Sequence, residues 1–290
     1  MEAALFCPSG TMTNQIAFKV LTRPMDEAIM DEYAHPYKYE GGGLAFNSGI
    51  SVALLKGDRG RLTADQIAGR INNSEDVHFP HTSVVSLENT CNRGGGACYN
   101  FEEIKKIKAL CNQHQLSLHL DGARLFNALV HKQESPLIYG ETFDTISICL
   151  SKGLGAPVGS LLLGSHAHIK EGRRIRKVFG GGMRQAGFLA AAGIYALDNH
   201  VERLAKDHQL APAFGELLAE TPSVAEVLPI ETNIVVFRLQ DEIDPKAFLA
   251  RLAENGILAV SFGGQLIRFV AHLDVNDSCL PRMKTALSSI

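Results

Sequence analysis

Three short stretches of the chain alternate apolar and polar residues at the period of a buried strand. TSVVSLE (82–88) is β-branched, QLSLHLD (115–121) spaces Leu116, Leu118 and Leu120, and TISICLS (145–151) spaces Ile146, Ile148 and Leu150. Between the first two, NFEEIKKIKALCNQH puts Phe101, Ile104, Ile107, Leu110 and Cys111 on one helical face. Asn100 is placed to cap that helix, with Glu102 and Glu103 in its first turn. Strands alternating with helices predict βαβ units and a mostly parallel sheet.

The texture changes further on. A run rich in small residues predicts one long helix over Met183 to His208, leading out of the first unit. Beyond it, ETNIVVFRL (231–239) and QLIRFVA (265–271) read as strands around a helix, DPKAFLARLAENG (244–256), that stops at Gly256. The expected architecture is α/β: a large domain over 1–208, with a mostly parallel sheet flanked by helices, and a small α+β domain over 209–290. The 290 residues are enough for both.

Composition narrows the classes. A net charge of −3 gives no bias toward nucleic acid or an anionic membrane, and the single basic run (168–177) lacks interleaved aromatics. The six cysteines form no C-x-x-C pair, which argues against a zinc cage or redox motif. They read as reduced thiols of a cytoplasmic protein. The N-terminus has no signal-peptide pattern, and the longest apolar segment, roughly 186–197, falls short of the ~18–20 residues of a membrane span.

Each of the three strands ends in a chemically capable residue: Glu88, Asp121 and, just past the third, Lys152. In open α/β sheets, ligands bind outside the carboxyl ends of the strands, so parallel neighbours would bring these side chains together. An amine at a cleft floor can form a Schiff base with a carbonyl, and pyridoxal phosphate is the commonest cofactor held that way. Such a site needs a carboxylate for the pyridine nitrogen, for which Asp121 is the candidate. It needs backbone donors for a phosphate, offered by Ser9, Gly10 and Thr11 ahead of a helical pattern, and a ring to cover the cofactor, offered by His35. Arg124 in DGAR and Arg268 within the apolar run LIRFV could grip a substrate carboxylate. Lys177 and Arg184 flank three consecutive glycines that permit close backbone approach. GLGAPVG after Lys152 has the wrong spacing for a dinucleotide fingerprint.

Taken together, SGTMTNQ, AHPYKYEGGG, SLENTCNRGGG, LHLDGAR, ICLSKGLGAPVGSLLLG, RKVFGGGMRQAGFLAAAGIYAL and IRFVAHLDV resemble, in this order, the low-specificity L-threonine aldolases. These are pyridoxal-phosphate lyases of the aspartate-aminotransferase fold (type I). The resemblance implies retro-aldol cleavage of L-threonine or L-allo-threonine to glycine and acetaldehyde. It implies Lys152 as the Schiff-base lysine, Asp121 as the pyridinium partner, and His35 as the stacking ring and a candidate base. Ser9, Gly10 and Thr11 would form the phosphate cup, Arg124 and Arg268 the carboxylate clamp, and Glu88 would lie near the cofactor ring. Lys177 and Arg184 would lie near the cofactor phosphate, in a homo-oligomer whose neighbouring subunit helps complete each site. Cys91 stands in ENTCN where the family usually has a histidine near the substrate hydroxyl. Water activated by His35, or a Cys91 thiolate, is then the expected base. A further departure is expected at the N-terminus, where the family carries a D-L-R-S-D-T-V-T-R-P segment; the T-R-P of LTRPM (21–25) follows the first helix and does not supply it. Rival readings are another amino-acid lyase or an aminotransferase on this fold, or a cofactor-binding subunit without catalysis.

Overall fold

The computed structural model describes residues 1–288. Among them, β1 (Ala3–Cys7), β2 (Glu27–Asp31), β3 (Ser51–Leu55), β4 (Thr82–Glu88), β5 (Ser117–Gly122), β6 (Thr145–Cys149) and β7 (Ser160–Gly164) form one sheet in the order β1-β7-β6-β5-β4-β2-β3. Strands β2 to β6 run parallel, whereas β7 is antiparallel to both its neighbours. The helices are α1 (Gly10–Leu21), α2 (His35–Lys38), α3 (Ala64–Ala68), α4 (Phe101–Gln113), α5 (Leu125–Lys132), α6 (Pro136–Thr142), α7 (His166–Val178), α8 (Gly187–His200), α9 (Leu204–Ala219), α10 (Pro245–Glu254) and α11 (Leu280–Ser288).

The strand alternation sorts two faces. Leu118, Leu120, Ile146 and Ile148 turn toward Ile104, Ile107 and Cys111 of α4 and form the main core. Asn100 caps α4 as expected, its side chain accepting from the Glu102 amide at 3.0 Å. The other face is polar toward the strand ends. Ser86, His119, Thr145 and Ser147 are buried there, and Thr13 of α1 lies against them with its hydroxyl 2.6 Å from that of Ser147.

The helix expected over 183–208 is instead two. Helix α8 starts at Gly187 and ends at His200, and α9 begins after a turn at 201–203 that no glycine or proline marks. Upstream, Gln185 has a φ of 50°, a left-handed conformation that keeps Met183–Ala186 out of the helix. Pro212 sits inside α9 rather than ending it.

The second sheet is antiparallel, in the order β10-β11-β9-β8, with β8 (Val224–Val227), β9 (Ile234–Leu239), β10 (Val260–Gly263) and β11 (Leu266–Val270). On one face Val235, Phe237, Ile267 and Phe269 pack beneath Phe214 and Leu218 of α9, Phe248 of α10 and Met283 of α11. The opposite face looks toward the loop that follows β4. A Cβ on Gly96 of that loop would meet the Thr232 hydroxyl at 2.4 Å and Ile234 at 3.3 Å, so only glycine permits this approach. Glu231 fixes it further, accepting from the Cys98 amide at 3.0 Å and pairing with Arg59 at 2.7 Å.

Candidate active site

Strands β4, β5 and β6 are adjacent and parallel, so their carboxyl ends open on one crevice. Glu88 pairs in register with Asp121, and Asp121 with Ser147. Lys152 lies three residues past the end of β6, on the same edge. It lines a cleft of about 450 Å³ with Arg124, Asn233, Val270 and His272. The strand ends thus converge as the alternation predicts.

Asp121 is buried and well supplied with donors. Asn14 of α1 donates to it at 2.9 Å and the Ala123 amide at 3.1 Å. Asn14 also donates at 2.9 Å to Glu40, a carboxylate that receives Gln15 at 2.6 Å as well. Glu40 in turn holds His35, whose Nδ1 is 3.0 Å away. That hydrogen bond, more than any other influence, raises the His35 pKa above 6.5; the charges of Asp121 and Glu40 add to it, while burial and Lys152 oppose it.

Glu88 behaves differently. It accepts the amides of His35 at 3.2 Å and Asn92 at 2.8 Å, yet withdrawal from water and the charge of Asp121 push its pKa up to about 7.

The start of α1 forms the anion cradle. Its first-turn N–H groups have no partner inside the helix, and Ser9 caps the end by accepting from the Met12 amide at 3.2 Å. A Cβ on Gly10 would lie 2.7 Å from the Cys149 sulfur, so the turn reaches the end of β6 only as glycine. From the glycine run at 180–182, Gly181 lies directly against Met12 of the same turn. Lys177 and Arg184 border it with exposed side chains.

Across the crevice, two arginines, one at the start of α5 and one on β11, meet at one atom. Arg124 and Arg268 both donate to Oδ1 of Asn92, at 3.4 and 2.7 Å. Burial lowers the pKa of each, and their mutual repulsion adds to the effect at Arg268. Among the described residues neither has a carboxylate within salt-bridge distance, and the buried Nε of Arg268 has no partner. Arg268, Asn92, His35 and Tyr39 line a second cleft of about 500 Å³.

Sequence reasoning missed three of these residues. Arg93 lines the second cleft, its guanidinium 4.0 Å from the Phe262 ring and donating to the Phe262 carbonyl. Asn14 and Glu40 lie within quoted motifs but read as unremarkable polar positions. Cys91 lines neither large cleft. Its thiol donates to the Glu88 carbonyl at 3.0 Å, and it borders a small cavity of about 10 Å³, room for one water, with Asp31 and Glu88. Burial, Glu88 and Asp31 hold its pKa well above 9, which disfavours a thiolate at this position.

An amine at a strand end, a donor-held carboxylate one strand away and a helix N-terminus cut back to glycine fit one cofactor, and fold and site define a type I pyridoxal-phosphate enzyme. The fold has a direct counterpart in the threonine aldolase of Leishmania major, with a TM-score of 0.84 at 22% identity over 99% of this chain and 84% of that one. Residues 1–242 match the model of the beta-eliminating lyase family, to which the chain belongs. Its relatives include the low specificity L-threonine aldolase of Escherichia coli K12, 40% identical over 276 residues covering 95% of this chain and 80% of that protein. The low-specificity L-threonine aldolase of Candida albicans is 37% identical over 292 residues, covering 98% of this chain and 75% of its own.

Proposed function

We propose that the chain cleaves L-threonine and L-allo-threonine to glycine and acetaldehyde with pyridoxal phosphate. The observation that carries this reading is the Arg124–Asn92–Arg268 bridge beside Lys152: two half-buried guanidiniums with no carboxylate in salt-bridge contact, next to an amine. That pair suits the α-carboxylate of an amino acid, and the names of the relatives select threonine.

Lys152 would hold the cofactor covalently, Asp121 its ring nitrogen, the Ser9–Thr11 turn its phosphate, and His35 would cover its ring. When bound, the cofactor supplies an electron sink for the pair released as the Cα–Cβ bond of the substrate breaks. The protein does the rest. Asp121, fixed by Asn14 and the Ala123 amide, would hold a proton on the cofactor's ring nitrogen. Arg124 and Arg268 orient the carboxylate, which is what makes one particular bond the one to break. His35, with Nδ1 tied to Glu40, has Nε2 left to take the β-hydroxyl proton, directly or through a water. Cys91 takes no part.

The reading includes a homo-oligomer in a reducing, cytoplasmic compartment. All six cysteines are free. Val178, Phe188, Ile194 and Tyr195 leave an apolar face on α7 and α8 exposed, Phe188 to 87%. A second copy covering that face would take up Lys177 and Arg184 beside it. No helix among the described residues is long and apolar enough to cross a membrane. Acetaldehyde release from L-threonine, and sedimentation of Phe188→Lys against the unaltered chain, test the two parts.

A further inference from the structure

Behind the cleft lies a hydrogen-bonded chain whose every proton position follows from elementary chemistry. Carboxylates only accept, so the end of Asn14 that lies 2.9 Å from both Glu40 and Asp121 must be its NH₂. Its Oδ1 therefore faces Nε2 of His119, 3.2 Å away, and that nitrogen must carry a hydrogen. His119 is fully buried, and desolvation lowers its pKa to about 4, so it is neutral and its Nδ1 accepts from the Thr145 hydroxyl at 2.8 Å. Gln15 is fixed in the same way, receiving Asn47 at 3.0 Å while donating to Glu40.

We propose that Asn14, locked by His119, is a positioning residue that couples the two carboxylates serving opposite parts of the site: Asp121, beneath the cofactor nitrogen, and Glu40, behind His35. The inference rests on the cofactor reading above. One amide gives each carboxylate one N–H, which lets two like charges lie in the same pocket while fixing the direction of both. His35, Glu40 and Asp121 place one ligand atom each within 4.8 Å of one another, a spacing that also suits a cation. The donors from Asn14, Gln15, the Ala123 amide and His35 already occupy those atoms, so the cluster is a relay of hydrogen bonds and not a metal cage. The tie runs from Thr145 in the sheet, through α1, to the ring that faces the substrate.

The charged and titratable groups around His35 are Glu40, Glu88, Asp121, Lys152, the neighbouring Tyr39, and Arg93 and Arg268 across the second cleft. NMR titration of the His35 imidazole, identified by its absence in His35→Gln, reads the coupling in the full chain without cofactor. In Asn14→Leu the two carboxylates lose their shared donor, and the uncompensated negative charge holds the His35 proton more tightly. Its midpoint is expected to rise by on the order of one pH unit, the scale of a hydrogen bond to a charged group. If Asn14 only fills space, loosening the site moves the midpoint down toward 6.5 or leaves it in place, and either result overturns the proposal. Should Asn14→Leu fail to fold, His119→Phe is expected to raise the midpoint and His119→Gln, which restores a donor to Asn14, to leave it near that of the unaltered chain; equal midpoints in the two overturn the proposal. Loading with pyridoxal phosphate separates the two ideas. Release of the cofactor, followed by absorbance, is expected at least ~10-fold faster in Asn14→Leu. Failure of the unaltered chain to bind it overturns the cofactor reading and the role given to Asp121, while the histidine titration still decides the coupling.

Discussion

Glu88 and Asp121 face each other across adjacent parallel strands, yet their carboxyl groups are held in opposite ways. Asp121 is buried and receives two N–H donors, from Asn14 and from the Ala123 amide. Glu88 has two backbone amides, but loss of water and the neighbouring charge outweigh them and push it up to about 7. One edge of the sheet thus sets a donor-held carboxyl group beside one that changes charge near neutrality.

That contrast predicts a pH dependence of stability. The folded pKa of Glu88 is raised, so between about 4.5 and about 7 the native state binds the proton that the unfolded chain has released. Its contribution is therefore fully present below about 4.5 and is lost as pH rises through about 7, by on the order of 3 kcal/mol. Urea titrations of the cofactor-free chain at pH 5 and pH 8 check this. Glu88→Gln, which cannot ionise, is expected to flatten the difference.

Asp121→Asn keeps the shape of the side chain and removes the charge. Turnover is expected to fall by roughly 10²–10³-fold, the scale seen when one preorganised electrostatic partner is removed. With Lys152 and the α1 cradle in their proposed roles the cofactor would still be held, so the loss is expected in kcat measured at saturating pyridoxal phosphate.

The arginine bridge predicts a different signature. Arg268→Leu leaves the substrate carboxylate with one guanidinium, and KM for L-threonine is expected to rise by roughly 30-fold or more, corresponding to about 2 kcal/mol or above. Arg268→Lys is expected to recover little of it, because an ammonium cannot share the planar contact at Asn92. Steady-state kinetics separating KM from kcat checks both.

Cys91 is expected to be chemically silent. Five of the six thiols are buried and only Cys279 is partly exposed, so a thiol reagent should label at most one site quickly in the native chain. Cys91→Ala is expected to change the threo/erythro ratio by less than about threefold, or ~0.6 kcal/mol. A larger change in the product assay would mean that the thiol reaches the substrate.

Much of this was legible in the chain itself, for physical reasons. The period-2 pattern at Leu118, Leu120, Ile146 and Ile148 exposes the strands, and their parallel order follows from the intervening helix. Lys152, Asp121 and the SGT turn stand out because their neighbours are otherwise hard to explain. What did not show is the meaning of the alternate positions. In the sequence His119, Thr145 and Ser147 are only the polar positions of the alternation, whereas in the fold α1 covers them and they become the foundation of Asp121. Asn14 and Glu40 meet 26 residues apart through a fold-dependent contact that no local pattern encodes. Cys91 falls in a motif that faces the substrate in the family, but its rotamer, set by the Glu88 carbonyl and Gly60, turns it to the rear.

The most direct test of the central claim is the product balance when the purified chain, loaded with pyridoxal phosphate, is given L-threonine or L-allo-threonine with no second substrate. Equimolar glycine and acetaldehyde, abolished in Lys152→Ala, is the predicted result. A loaded chain that releases no acetaldehyde, or that turns over only when a 2-oxo acid is supplied, would contradict it.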